Sequence, residues 1–92
     1  MNSVLTNRPR LARRVRLHTD NLTGSPVLLH QESVVVLNQT GYQILRLCDG
    51  TKTLGEIVRS LASQYQVPEL ALSSDVSEYV AAISRKGLVE WM

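Results

Sequence analysis

The sequence predicts an α+β fold: a small three-stranded antiparallel sheet followed by three helices. Three observations predict it. Short β-branched or alternating runs are confined to the first forty residues. Helical apolar periodicity takes over after Leu37 and continues to Lys86. The links between the early runs are too short for parallel crossovers, so those strands must pair antiparallel. The stretch Leu37 to Gly50, LNQTGYQILRLCDG, is the join between the two regimes.

In chain order, Met1 to Asn7 is expected to be loosely attached, and residues 1–10 are expected to form a flexible arm ahead of a single domain over residues 11–92. Pro9 introduces Leu11 to Leu17, where Val15 and Leu17 alternate with Arg14 and Arg16 as in a half-buried strand. Thr19-Asp20-Asn21 and Thr23-Gly24-Ser25-Pro26 are turn-formers. Val27 to His30 reads as the second strand. Gln31-Glu32 turns it back into the third, Ser33 to Leu37. The first helix carries Ile44, Leu45, Leu47 and Cys48 at helical spacing. Asn38 or Thr40 can cap it, and Asp49-Gly50 is expected to stop it. Thr53-Leu54-Gly55-Glu56 matches a capping box, in which hydroxyl and carboxylate each satisfy a first-turn amide. The second helix then shows an apolar stripe of Leu54, Ile57, Val58, Leu61, Ala62 and Tyr65, and Gln66-Val67-Pro68 breaks it. The third lies within Glu69 to Lys86. Ser73 or Ser74 is a candidate cap, with Glu69 to Leu72 as an alternative separate turn; Gly87 stops the helix. Leu88 to Met92 is an extended tail that reads as a last strand. The arrangement matches a winged helix-turn-helix, with helices two and three as the pair and the tail as a reduced wing.

Composition narrows the function. Ninety-two residues support one modest core, built of Leu, Val and Ile because only three Tyr and one Trp are present and Phe is absent. No apolar stretch approaches the ~18 residues of a membrane span, and the first residues lack a secretory signal. One cysteine, Cys48, excludes an internal disulfide and fits a reducing cytoplasm. Arg8, Arg10, Arg13, Arg14 and Arg16 carry half of the ten basic residues, so a basic N-terminal stretch precedes an acidic body. That stretch suits an acidic partner or is simply solvated.

An enzyme is not indicated. His18 and His30 both fall in the strand region, where a sheet could bring them close, but a metal needs a further ligand. Cys48 follows an apolar helical face and reads as a core thiol. No nucleophile triad, phosphate loop or spaced carboxylate pair is present. DNA binding, the natural alternative for a winged helix, is opposed by a third helix that opens with Glu69, Asp75 and Glu78, since an acidic helix is repelled by a polyanion. Peptide recognition remains. A small sheet exposes strand edges, and an exposed edge beside an apolar helix accepts a peptide as an added strand. The candidate groove residues are Ser33, Val34, Val35, Val36 and Leu37 on the third strand, with Val76, Tyr79, Val80 and Ile83 on the third helix; the latter group serves equally as core.

The run RLHTDNLTGSPVLLHQESVVVLNQTGYQILRLCDGTKTLGEIVRSLASQY, above all VLLHQESVVVLNQTG, ILRLCDG and TLGEIV, resembles the PqqD family of pyrroloquinoline quinone (PQQ) biosynthesis. The likeness extends from about Leu11 to Trp91. Two positions depart from the family pattern: His30-Gln31-Glu32 stands where an aromatic and a proline precede the glutamate, and Gly41 stands where Ala is frequent. The resemblance implies a peptide chaperone without cofactor or metal. Such a protein binds the ribosomal precursor peptide PqqA and presents it to the radical S-adenosylmethionine enzyme PqqE. It implies a peptide that extends the sheet beside Ser33 to Leu37 and packs on the helix face around Asp75, Tyr79 and Ile83. Arg13, Arg14 and Arg16 are candidates for partner electrostatics. Neither nucleic acid nor membrane is an implied partner. Open sheet edges also allow a homodimer, and a relative serving another ribosomally made peptide is the alternative reading.

Overall fold

The structure, a computed structural model, describes residues 7–92. The loose stretch expected at the N-terminus lies, apart from Asn7, outside them. Eight elements follow in order: β1 (Pro9–Leu11), β2 (Val15–Thr19), β3 (Pro26–His30), β4 (Ser33–Val36), α1 (Gln39–Leu45), α2 (Leu54–Tyr65), α3 (Glu69–Arg85) and β5 (Val89–Trp91). β2, β3 and β4 form an antiparallel sheet in that order, and β1 pairs antiparallel with β5 in a separate two-stranded ribbon.

The strand read from Leu11 to Leu17 is therefore two strands. Arg14, at φ 70°, takes a left-handed conformation, and Val15 N–H turns back to Ala12 O at 3.0 Å. Pro9 and Arg10 belong to the fold as partners of Trp91 and Glu90, so ordered chain starts before residue 11. The tail is a strand as expected. Its partner is β1, and the ribbon is pinned by the Arg10–Glu90 pair at 3.0 Å and by Trp91 Nε1 donating to Ser84 Oγ at 3.0 Å.

α1 begins where Asn38 Oδ1 accepts from Gly41 N–H at 2.7 Å; Thr40 lies inside the helix. It ends at Leu45, short of Asp49-Gly50. Leu47 and Cys48 close tight turns onto Ile44 O and Leu45 O, and Asp49 is drawn into a β-bridge with Arg10. Gly50, at φ 84°, then donates to Pro9 O at 2.9 Å. The capping box of α2 is complete: Thr53 N–H donates to Glu56 Oε1 and Glu56 N–H to Thr53 Oγ1. Leu54, Ile57, Val58, Leu61 and Ala62 are buried, whereas Tyr65 at the C-terminal end is exposed. Gln66 ends the helix in a left-handed conformation. α3 is continuous from Glu69, with Ser73 and Ser74 inside it. Pro68 has no N–H to leave unsatisfied and its ring presets φ, so it opens the helix without a side-chain cap.

The core lies between the helices and the inner face of the sheet. Leu28, Leu54, Ile57 and Val80 are wholly excluded from solvent, with Ile44, Leu45, Cys48, Leu61, Val76, Leu88 and Val89 packed around them. Among the described residues, no helix is long and apolar enough to cross a membrane.

Candidate peptide-binding edge

Among the described residues, β4 pairs only with β3, so one of its edges is open. The register assigns its backbone groups. Leu37 N–H donates to Pro26 O at 3.0 Å, and His30 faces Ser33 across the hairpin. In an antiparallel ladder, N–H and C=O of one residue point the same way and alternate along the strand. Ser33, Val35 and Leu37 therefore turn their main-chain groups to β3, and Val34 and Val36 turn theirs outward. The open edge offers two N–H and two C=O groups in the pattern an added antiparallel strand requires.

Side chains alternate with the same period. Val34 and Val36 lie on the outer face of the sheet and are 61% and 72% exposed, continuous with Leu29 and Val27 of β3 through their cross-strand pairs. Val35 pairs with the buried Leu28 on the inner face and is half-buried, and Leu37 is buried. The five strand residues thus divide: Val34 and Val36 supply the edge, Val35 and Leu37 anchor it, and Ser33 closes the hairpin.

On α3 the division is sharper. Asp75 is exposed and Tyr79 half-buried. Val76, Val80 and Ile83 are core, with exposures of 2%, 0% and 6%. The reading of Val76 and Ile83 as groove surface is thereby corrected: positions 76, 80 and 83 fall on the helix face turned to the interior, and contact with a peptide would require opening the core. Tyr79 lies one step round that face, packed on the core and against Gly41 of α1. Burial pushes the Tyr79 phenol above its ordinary pKa.

Arg13, Arg14 and Arg16 are exposed. The strand order β2-β3-β4 puts them on the opposite side of the sheet from the β4 edge. Other candidates fall away. His18 pairs with Val27 and His30 with Val15, an offset of opposite parity that sends the two imidazoles to opposite faces. Among the described residues, no group of His, Cys, Asp and Glu is placed to hold a metal ion. Cys48 is buried, donates to Ile44 O at 3.4 Å, and its pKa is pushed up to about 12, first by burial and then by Asp49. That is the environment of an inert core thiol.

The packing of Tyr79 on Gly41 is the feature periodicity alone misses. The only signal for it in the sequence is glycine inside a helix, where it costs stability and so marks a close approach.

The chain is similar to proteins of known family. The family model of coenzyme PQQ synthesis protein D (PqqD) matches residues 26–89. A Rhizobium meliloti protein named PqqA binding protein is 31% identical over 81 residues, covering 88% of this chain and 83% of its own length. The bifunctional coenzyme PQQ synthesis protein C/D of Methylorubrum extorquens is 30% identical over 82 residues, which cover 89% of this chain and 22% of that larger protein. Among solved structures, the PqqD part of Methylobacterium extorquens PqqCD, described as a stand-alone recognition element for ribosomally synthesized and post-translationally modified peptides, superimposes with a TM-score of 0.76 at 30% identity, covering 89% of this chain and 87% of that one. PqqD from Xanthomonas campestris superimposes with a TM-score of 0.59 at 31% identity, covering 85% and 87%. With a matching family model over most of its length and relatives at this level of identity, the chain belongs to the PqqD family.

Proposed function

We propose that this chain is a non-catalytic peptide chaperone of PQQ biosynthesis: it captures the precursor peptide PqqA as an extra strand on β4 and presents it to the radical S-adenosylmethionine enzyme PqqE. The observation that carries the reading is the open β4 edge, where Val34 and Val36 turn unpaired main-chain groups outward in a family whose relatives are named for PqqA binding. Ser33 to Leu37 form the edge and its anchor, and the captured peptide packs on α3 at Asp75 and Tyr79. Strand capture orders the peptide before it meets the enzyme, which reduces the cost left for the catalytic encounter. Holding both partners raises the effective peptide concentration at the active site.

Arg13, Arg14 and Arg16, remote from β4, suit a contact with acidic groups of PqqE or of a peptide end. Replacing all three by Gln should weaken the ternary complex and flatten its salt dependence. The deciding experiment is titration of isotope-labelled protein with synthetic PqqA. Saturable amide shifts at Val34, Val36 and along the exposed side of α3 are expected. No shifts at high micromolar peptide would sink the proposal.

A further inference from the structure

Gly41 is buried in the first turn of α1. A Cβ built on it would overlap the Tyr79 hydroxyl, and would stand 2.9 Å from Tyr79 Cζ and 3.1 Å from Asn38 Oδ1. The volume a methyl group would fill at residue 41 is thus the volume the Tyr79 hydroxyl uses. The backbone there cannot easily give way, because the Asn38 cap fixes the turn and Leu37 is tied to β3. With any larger residue at 41, the phenol ring would have to move.

The hydroxyl also reaches the first turn of α1. α1 starts three residues after β4 ends, so its first turn borders the C-terminal end of the open edge. Among the described residues, no group hydrogen-bonds to Tyr79 Oη, and burial raises the pKa of the phenol. A half-desolvated hydroxyl beside a binding edge gains from a polar partner on the ligand.

We propose that Gly41 and Tyr79 form one specificity unit: the missing methyl at 41 seats the Tyr79 hydroxyl at the end of the β4 edge, where it hydrogen-bonds a polar group of the bound peptide strand. This rests on strand capture at β4. Tyr79 is the contacting residue and Gly41 a positioning residue that never touches the peptide.

The test compares the wild type with Tyr79→Phe, Gly41→Ala and Gly41→Ala/Tyr79→Phe by calorimetric titration with PqqA, alongside thermal melts and spectroscopic titration of the tyrosines. Tyr79→Phe should weaken binding about 3- to 10-fold, the effect of one neutral hydrogen bond, with its melting unchanged. Gly41→Ala should weaken binding at least as much and bring the Tyr79 pKa down toward its ordinary value as the ring swings to water. The double variant should bind about as weakly as Gly41→Ala alone, because the added methyl also stands 2.9 Å from the ring carbon Cζ and displaces the ring whether or not it carries the hydroxyl. Wild-type affinity in Tyr79→Phe, or losses that multiply in the double variant, would overturn the inference while leaving strand capture intact. A wild-type chain that fails to bind the peptide would remove strand capture and this inference together.

Discussion

Val36→Pro separates main-chain recognition from everything else the edge does. Val36 turns its N–H away from β3, so proline there removes no bond of the β3–β4 ladder. Edge strands tolerate proline where the N–H faces solvent, and Val35 is already in the extended conformation that a residue preceding proline requires. The side chain lost is 72% exposed, so little burial is forfeited. The fold should survive, with a melting temperature within a few degrees of the wild type.

Binding should not survive. The edge offers four main-chain groups, each worth about 0.5–1.5 kcal/mol net once paired. Proline deletes one donor, about a fivefold loss, and its ring occupies the approach of the incoming carbonyl, so the neighbouring bond is lost as well. Affinity for PqqA should fall tenfold or more by isothermal titration calorimetry. Val36→Ala keeps the N–H and should retain most of the affinity. Val35→Pro is the converse control: its N–H serves the ladder opposite Leu28, so it should cost about 3 kcal/mol or more of stability. A Val36→Pro protein that melts like the wild type and binds PqqA within twofold of it would refute strand addition at β4.

Gln31 holds a left-handed φ of 56° in the β3–β4 turn, a conformation that costs a side-chain-bearing residue about 1 kcal/mol; Gln31→Gly should raise the unfolding midpoint in urea by a corresponding amount, less the entropy glycine adds to the unfolded chain. Thr53→Ala removes the hydroxyl of the capping box and should cost about 1 kcal/mol, read as a fall in Tm of about 4–8 °C. Cys48, with a pKa pushed up to about 12, should resist thiol reagents at pH 8 until the protein unfolds; because its folded pKa lies above the unfolded value, its stabilising effect is complete below pH 9 and is lost as pH rises toward 12, and Cys48→Ala should flatten that alkaline loss. Asp49 accepts from the Thr51 hydroxyl, the Thr51 N–H and Lys52, which together bring its pKa down to about 2; its effect is present above its ordinary value of 3.8 and disappears as pH falls toward 2, so Asp49→Asn should lessen the acid sensitivity of thermal melts, modestly because the carboxylate is largely in water.

Local chemistry was legible where it is self-contained. The capping box at Thr53 and the α2 stripe from Leu54 to Ala62 encode their state within a few residues and occur as read; the β-branched run of β4 is a strand as read, but a short run of this kind reads as buried, and Val34 and Val36 are exposed because β4 is an edge strand. What was illegible depends on distant partners. α1 ends at Leu45 because Asp49 is needed for a bridge to Arg10, nearly forty residues upstream. The division of the first strand rests on a left-handed Arg14, a residue type that gives no turn signal. At the site, periodicity identified the apolar stripe of α3 but not its phase. Val76, Val80 and Ile83 prove to be interior while Tyr79 stands at the margin, and only the packing of α1 and α2 against α3 decides between them.

Among the described residues, the sheet has two open edges, and its construction favours one of them for a ligand. By the alternation that turns Val34 and Val36 outward on β4, the outward groups of β2 are those of Val15, Leu17 and Thr19. Val15 N–H is already satisfied by Ala12 O within the β1–β2 turn, so that edge begins occupied. Exposed Arg13 and Arg14 sit at its entrance and exposed Arg16 and His18 flank it, the arrangement by which charged residues keep edge strands from pairing. Among the described residues, the β4 edge carries a charge only at its entrance, Glu32: its flanks are two exposed valines, and its far end leads into the first turn of α1, where Gly41 admits the Tyr79 hydroxyl. An extended peptide therefore meets charge and a spent donor on one side, and bare main-chain groups with apolar neighbours on the other. The arginines that deter a strand at β2 are exposed, so under the proposed function peptide and enzyme would be held on opposite sides of the same small sheet without competing.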